Sequence, residues 1–132
     1  MTGRLRRLAA AAAFATGAGA LAAPPAPGTS GPLLARDSRE AAVFRGTLVF
    51  STYCVTCHGV LGDGNGRAAR LYDPKPANLR ASDKNDAYVK LMVVRGGAAL
   101  GRSEFMPAWS EELTDEQIAD VVAFLRSINV NP

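Results

Sequence analysis

Cys54-Val55-Thr56-Cys57-His58 is the stretch on which the reading of this chain turns. Two thiols stand three positions apart and an imidazole follows the second at once. The chain has no other cysteine and no other histidine. Three chemistries compete for such a cluster. A thiol–disulfide pair uses C-x-x-C near a strand–helix–strand pattern, and no strand-rich segment is seen here. A structural zinc site needs four ligands, commonly from two cysteine or histidine pairs, and this cluster supplies three. The pattern C-x-x-C-H is that of covalent haem attachment, in which the thiols bond the two vinyl groups and the histidine lies beneath the iron. Haem c is therefore the expected cofactor, with the dithiol as the remote alternative.

Outward from the motif, three helices are expected. The first spans about Asp37 to Tyr53, with Asp37 and Glu40 fitting a D-x-x-E capping box and with Val43, Gly46, Thr47 and Phe50 on one face. The second spans about Asn85 to Arg95, with apolar Ala87, Tyr88, Leu91, Met92 and Val94, and is stopped by Gly96-Gly97. The third spans about Asp115 to Ile128. Thr114 and Gln117 form its capping box, and Ile118, Val121, Val122, Phe124, Leu125 and Ile128 line its apolar side. The segments between are irregular and rich in Gly and Pro. The fold class expected is all-α, a small domain of about three main helices with long loops round a bound haem. A core this small gains little from burial alone, so the protein without haem is expected to fold poorly.

This layout resembles the class I, bacterial monohaem cytochromes c, over nearly all of the chain after its leader. Gly46 and Phe50 stand eight and four residues before Cys54, as the family pattern has them, and Val121 and Phe124 take the positions of their partners on the last helix. The run Gly59 to Gly66 resembles the family's C-H-G-x-x-G-x-G loop. Taken alone it is a weak glycine-rich signal, and it lacks the G-K-[ST] ending of a phosphate loop. The resemblance implies that a proline carbonyl after the motif accepts from the ring nitrogen of His58 that does not face iron. Asp73-Pro74-Lys75-Pro76-Ala77-Asn78-Leu79 offers that loop. Because Ala77 intervenes where the family has proline directly before Asn-Leu, the acceptor is Pro76 or its neighbour, and Pro76 is the choice. Trp109, with Arg80 or Arg95, is a candidate partner for a haem propionate.

A haem held by His58 keeps one axial position for a methionine, for water or for nothing. Met92 lies among Leu91, Val93 and Val94 and reads as a core residue. Met106 stands in Phe105-Met106-Pro107-Ala108-Trp109, and its following proline matches the family's M-P pattern. Met106 is the expected distal ligand. His/Met ligation raises the reduction potential and suits electron transfer rather than catalysis.

Residues 1–23 read as a signal peptide: Arg4, Arg6 and Arg7, an uncharged run from Leu8 to Leu21, and an A-x-A site at Ala20-Leu21-Ala22. The run is short for a membrane span and is followed by Pro24-Pro25. Residues 24–35 read as a Pro/Gly-rich linker and 36–130 as the cytochrome domain. With the leader removed, 12 basic residues balance 12 acidic ones. The charges are polarised, eleven basic against six acidic up to residue 102 and one against six beyond it. Such asymmetry would orient a charged partner, and the same charges read equally well as solvated helix faces. Dispersed arginines without interleaved aromatics give no nucleic-acid signature. The function expected is a periplasmic monohaem carrier passing single electrons, as Fe(III)/Fe(II), from a donor to an acceptor in a respiratory or dehydrogenase chain. The partners expected are a dehydrogenase, a cytochrome complex or a terminal oxidase. A permanent subunit of such a complex is the alternative.

Overall fold

The protein is described by a computed structural model over residues 34–131, so the expected signal peptide and most of the expected linker lie outside the described residues. Among the described residues the chain forms α1 (Arg39–Tyr53), α2 (Val55–His58), α3 (Asp86–Arg95) and α4 (Asp115–Ile128), with single 3-10 turns at Ala69–Leu71, Leu79–Ala81 and Ala98–Leu100, and no strand. None of these helices is long and apolar enough to cross a membrane.

α1 begins one residue later than the capping pattern suggests. Ser38 is the cap, its Oγ accepting from the Ala41 N–H at 3.1 Å. Asp37 is outside the helix, and Glu40 sits in the first turn, where a carboxylate favours the helix dipole. The hydroxyl wins because it stands three residues before an unpaired first-turn N–H. α4 begins as read: Thr114 Oγ1 accepts from Gln117 N–H at 3.2 Å, and Gln117 Oε1 accepts from Thr114 N–H at 2.9 Å. α3 is capped by Asn85, whose Oδ1 accepts from Tyr88 N–H at 2.9 Å. It ends at Gly96, whose φ of 73° excludes most other residues.

The inward face of α3 differs from the expected stripe. Val93 is buried and Val89 packs on the core, whereas Ala87 and Leu91 face solvent. Four consecutive apolar residues at 91–94 leave the phase of a helix undetermined, and packing against α4 settles it. The core joins Val49 and Phe50 of α1, Val93 of α3, Leu113, and Ile118, Val121 and Leu125 of α4.

α1 and α4 cross at Gly46. A Cβ there would lie 2.0 Å from the Asp120 carbonyl oxygen and 2.8 Å from Phe124 Cβ. Beside the crossing, Arg45 grips the buried Asp120 carboxylate with two parallel bonds of 2.6 and 2.7 Å. A third bond runs from Arg45 to the Arg36 carbonyl at 2.8 Å. The planar fork of arginine matches a carboxylate in this way, and the pairing satisfies the buried charge. Phe50 and Phe124 stack tilted one turn further on, with centroids 5.0 Å apart.

Overpacking at so close a crossing costs about 1–3 kcal/mol or more. Gly46→Ala is therefore expected to lower the unfolding free energy of the loaded protein by that amount, seen as a lower urea midpoint with little change in the slope of the transition. An unchanged midpoint would show that the helices separate at no cost.

Candidate cofactor site

α1 stops at Cys54, whose backbone (φ −110°, ψ −32°) leaves ideal helix geometry. The chain re-enters helix at once as α2, with the N–H groups of Cys57 and His58 both bonded to the Cys54 carbonyl. Positions three and four apart on one turn share a face, so this turn brings both thiols and the imidazole to one side. All three line a single cavity of about 530 Å³, within the range of cofactor sites.

The glycine loop braces the back of that turn. Gly64 N–H bonds the His58 carbonyl at 2.8 Å, Gly66 N–H the Cys57 carbonyl at 3.1 Å, and Ala68 N–H the Thr56 carbonyl at 3.0 Å. At Gly66 a Cβ would fall 2.4 Å from the Thr56 carbonyl, and at Gly64 (φ +84°) one would fall 2.5 Å from the Pro76 carbonyl. The loop whose sequence only resembled the family pattern thus packs α2 against the 76–77 segment.

The carbonyl facing His58 is that of Ala77, at 3.1 Å from Nδ1. This corrects the choice of Pro76, whose carbonyl is directed at Gly64. The intervening alanine shifts the acceptor by one residue. A carbonyl only accepts, so Nδ1 carries the proton and Nε2 keeps its lone pair for a metal. Burial lowers the His58 pKa, partly opposed by this hydrogen bond, which keeps the ring neutral. Burial, with the neighbouring Cys57, pushes the Cys54 thiol up to about 11.

The opposite part of the cavity lining comes from α3 and the loop before α4. Met92 and Met106 both line it, as do Phe105, Pro107 and Trp109. The Met106 loop is held by the glycine pair that ends α3. Gly97 N–H bonds the Met106 carbonyl at 2.8 Å, and a Cβ at Gly96 would lie 2.7 Å from Ala108 N. Trp109 is anchored by its N–H to the Val93 carbonyl at 2.9 Å and meets Tyr53 edge-on at 5.3 Å. Tyr72 and Phe105 pair at 5.1 Å.

The polar rim was only partly legible. Trp109 does line the cavity. Arg80 lines a different groove, with Val60, Leu61 and Phe124, and Arg95 lines neither. The groups that sequence reasoning missed are Tyr88, Lys84 and Arg102. Arg102 Nε donates to Tyr88 Oη at 3.2 Å, and Lys84 pairs with Asp83 at 2.7 Å, holding that carboxyl below the usual range. No spacing rule links residues 84, 88 and 102, and only the fold brings them to one rim.

A family profile described as Cytochrome c matches residues 43–129, a span that contains the motif, the cavity lining, α4 and all but the first turn of α1. The chain belongs to the cytochrome c family. Among solved structures, this cytochrome is similar to a chain of the Kuenenia stuttgartiensis reducing HAO-like protein complex Kustc0457/Kustc0458. The identity is 32%, the TM-score 0.56, and the match covers 64% of this chain and 41% of that one. The shared part is thus less than half of the neighbour's length. No curated protein matches the chain.

Family membership implies covalent haem c, and the cavity fits it. Two thiols and an imidazole with a free Nε2 share one face, aromatic walls suit a flat macrocycle, and Arg102 offers a cation to its carboxylates. Cys57→Ala and Cys54→Ala are each expected to remove most of the haem that survives denaturing electrophoresis, as read by haem staining. Full retention in both variants would contradict the attachment.

Proposed function

We propose that this protein is a single-electron carrier of the c-type cytochrome class, with one haem bonded to Cys54 and Cys57 and ligated by His58 and Met106. The observation that carries the reading is the convergence of these four residues on one cavity from two separate segments. Haem, when bound, takes up or gives up one electron. The chain's own groups set the conditions. Ala77 orients His58, a thioether sulfur raises the reduction potential, and the aromatic walls exclude water.

Met106 is preferred to Met92 because its loop is pinned at Gly96, Gly97 and Pro107, which fixes the direction of an otherwise flexible side chain. With two protein ligands committed, no position remains for a small molecule, which suits electron transfer and not turnover. The leader at 1–23 supports export to the periplasm, where donor and acceptor would be redox proteins.

A second reading, as a bound subunit of a larger redox assembly, is favoured by one observation. Phe44 and Leu48, one turn apart on α1, are 60% and 55% exposed, and Val60 and Leu61 are 81% and 61% exposed. Apolar surface of this kind marks protein contacts, and the similar solved chain comes from a multi-protein complex. Size exclusion of the native protein separates the two. Elution as a single chain supports the free carrier, and co-elution with a larger redox protein supports the subunit.

The site assignment is tested in the oxidised protein. Met106→Ala is expected to abolish the weak red sulfur-to-iron band and to lower the potential while haem is retained, and Met92→Ala to preserve the band. The reverse result would transfer the ligand role to Met92. Absence of haem from the wild-type chain in a pyridine haemochrome assay would sink the carrier reading and leave the dithiol.

A further inference from the structure

The residues that follow α4 run along one wall of the cavity. Asn129 closes α4 and turns its amide inward, Nδ2 donating to the Ser82 carbonyl at 2.9 Å while Oδ1 accepts from Asn131 N–H at 2.6 Å. Val130 N–H donates to the Arg80 carbonyl at 2.8 Å, and Asn131 Nδ2 to the Ala81 carbonyl at 3.2 Å. One turn earlier Arg126 donates to the Lys84 carbonyl and pairs with Asp86. The carbonyls of residues 80, 81, 82 and 84 are thus all taken by the last turn of α4 and the residues after it.

That segment has little to hold it otherwise. Beyond the single turn Leu79–Ala81 it forms no helix before α3. Its carbonyls need partners, and the tail supplies them. Leu79, Ser82, Asp83 and Lys84 all line the cavity. The tail buries little apolar surface in return, since Val130 is 60% exposed. Its contribution is position rather than bulk.

The wall is separable from the His58 support. Ala77 is set by the glycine loop, through the close approach of Gly64 and the 2.7 Å bond from Leu79 N–H to the Gly62 carbonyl. Loosening the tail therefore frees residues 80–84 and leaves the histidine acceptor in place. Of the charged residues in this wall only Asp83 and Lys84 line the cavity, and they move as an ion pair, so no net charge enters or leaves it; Arg80 lines the separate groove. The remaining effect is entry of water.

We infer that Asn129, with Val130 and Asn131, are positioning residues that press the 80–84 wall onto the haem and so raise its reduction potential by excluding solvent. The inference rests on the haem-carrier reading. Burial is one of the levers a protein has on haem potential, and water at the wall favours the more highly charged oxidised form.

The test is a spectroelectrochemical titration of the full-length loaded protein and three uncharged variants. Asn129→Ala and Asn131→Ala are expected to keep the sulfur-to-iron band, and to shift the redox equilibrium three- to tenfold towards the oxidised form, at most about 59 mV for one electron. Ser127→Ala removes only a bond to the Phe124 carbonyl at the same helix end, and is expected to keep the wild-type potential. Wild-type potentials in both asparagine variants overturn the inference. So does an equal drop in Ser127→Ala, which would assign the effect to fraying of α4. Asn131→Ala keeps the Asn129–Ser82 bond and provides the reading if Asn129→Ala does not assemble. A wild-type chain without haem is a different failure, that of the carrier reading itself.

Discussion

The contact of α1 with α4 at Gly46 is the constraint from which the rest of the domain follows. With no Cβ, the backbone of α1 comes against the Asp120 carbonyl. The side chain of the same Asp120 is gripped by Arg45, one residue before the glycine. One residue of α4 therefore meets two neighbours on α1, through its backbone and its carboxylate. This fixes the crossing in translation and in rotation. Phe50 then stacks on Phe124, and four residues later Cys54 begins the turn that carries the thiols and the imidazole. The placement of the chemistry is inherited from the crossing.

The site is held by backbone more than by side chains. Glycines at 64 and 66 let the loop pack on α2 and on the 76–77 carbonyls, and glycines at 96 and 97 let the Met106 loop pack on the end of α3. Each set is one residue type used for close approach, on either side of the cavity. Hydrogen bonds from N–H groups to fixed carbonyls set ring and loop directions without adding charge. Burial correspondingly favours the neutral forms of His58 and of the Cys54 thiol. Charges lie at the rim, on Lys75, Asp83, Lys84 and Arg102.

Much of this was legible in the sequence where the signal is local. The C-x-x-C-H spacing encodes its own geometry, and the Thr114–Gln117 box and the apolar face of α4 follow from helical periodicity. Gly46 and Phe124 were readable only through resemblance to a family, because nothing within either helix states which residue it will meet. The misses share a cause. Ser38 displaced Asp37 as a cap because two capping residues in succession define two helix starts one residue apart, each with its own N–H partner. The phase of α3 was hidden by four apolar residues in a row. The acceptor for His58 moved from Pro76 to Ala77 because one inserted residue shifts a carbonyl that has no side-chain signature. The rim residues Lys84, Tyr88 and Arg102, and the tail carbonyl contacts at 80–84, are products of tertiary packing and leave no periodic trace.

The central claim is that the cysteine pair serves to hold a one-electron centre and is not itself the redox couple. The slope of a redox titration of the purified native protein decides it. A one-electron centre changes its oxidised-to-reduced ratio tenfold for about 59 mV, and a dithiol couple tenfold for about 30 mV. The account predicts a single reversible wave of about 59 mV per decade, followed in the visible haem bands. A slope near 30 mV per decade, with no visible chromophore that titrates, would contradict it.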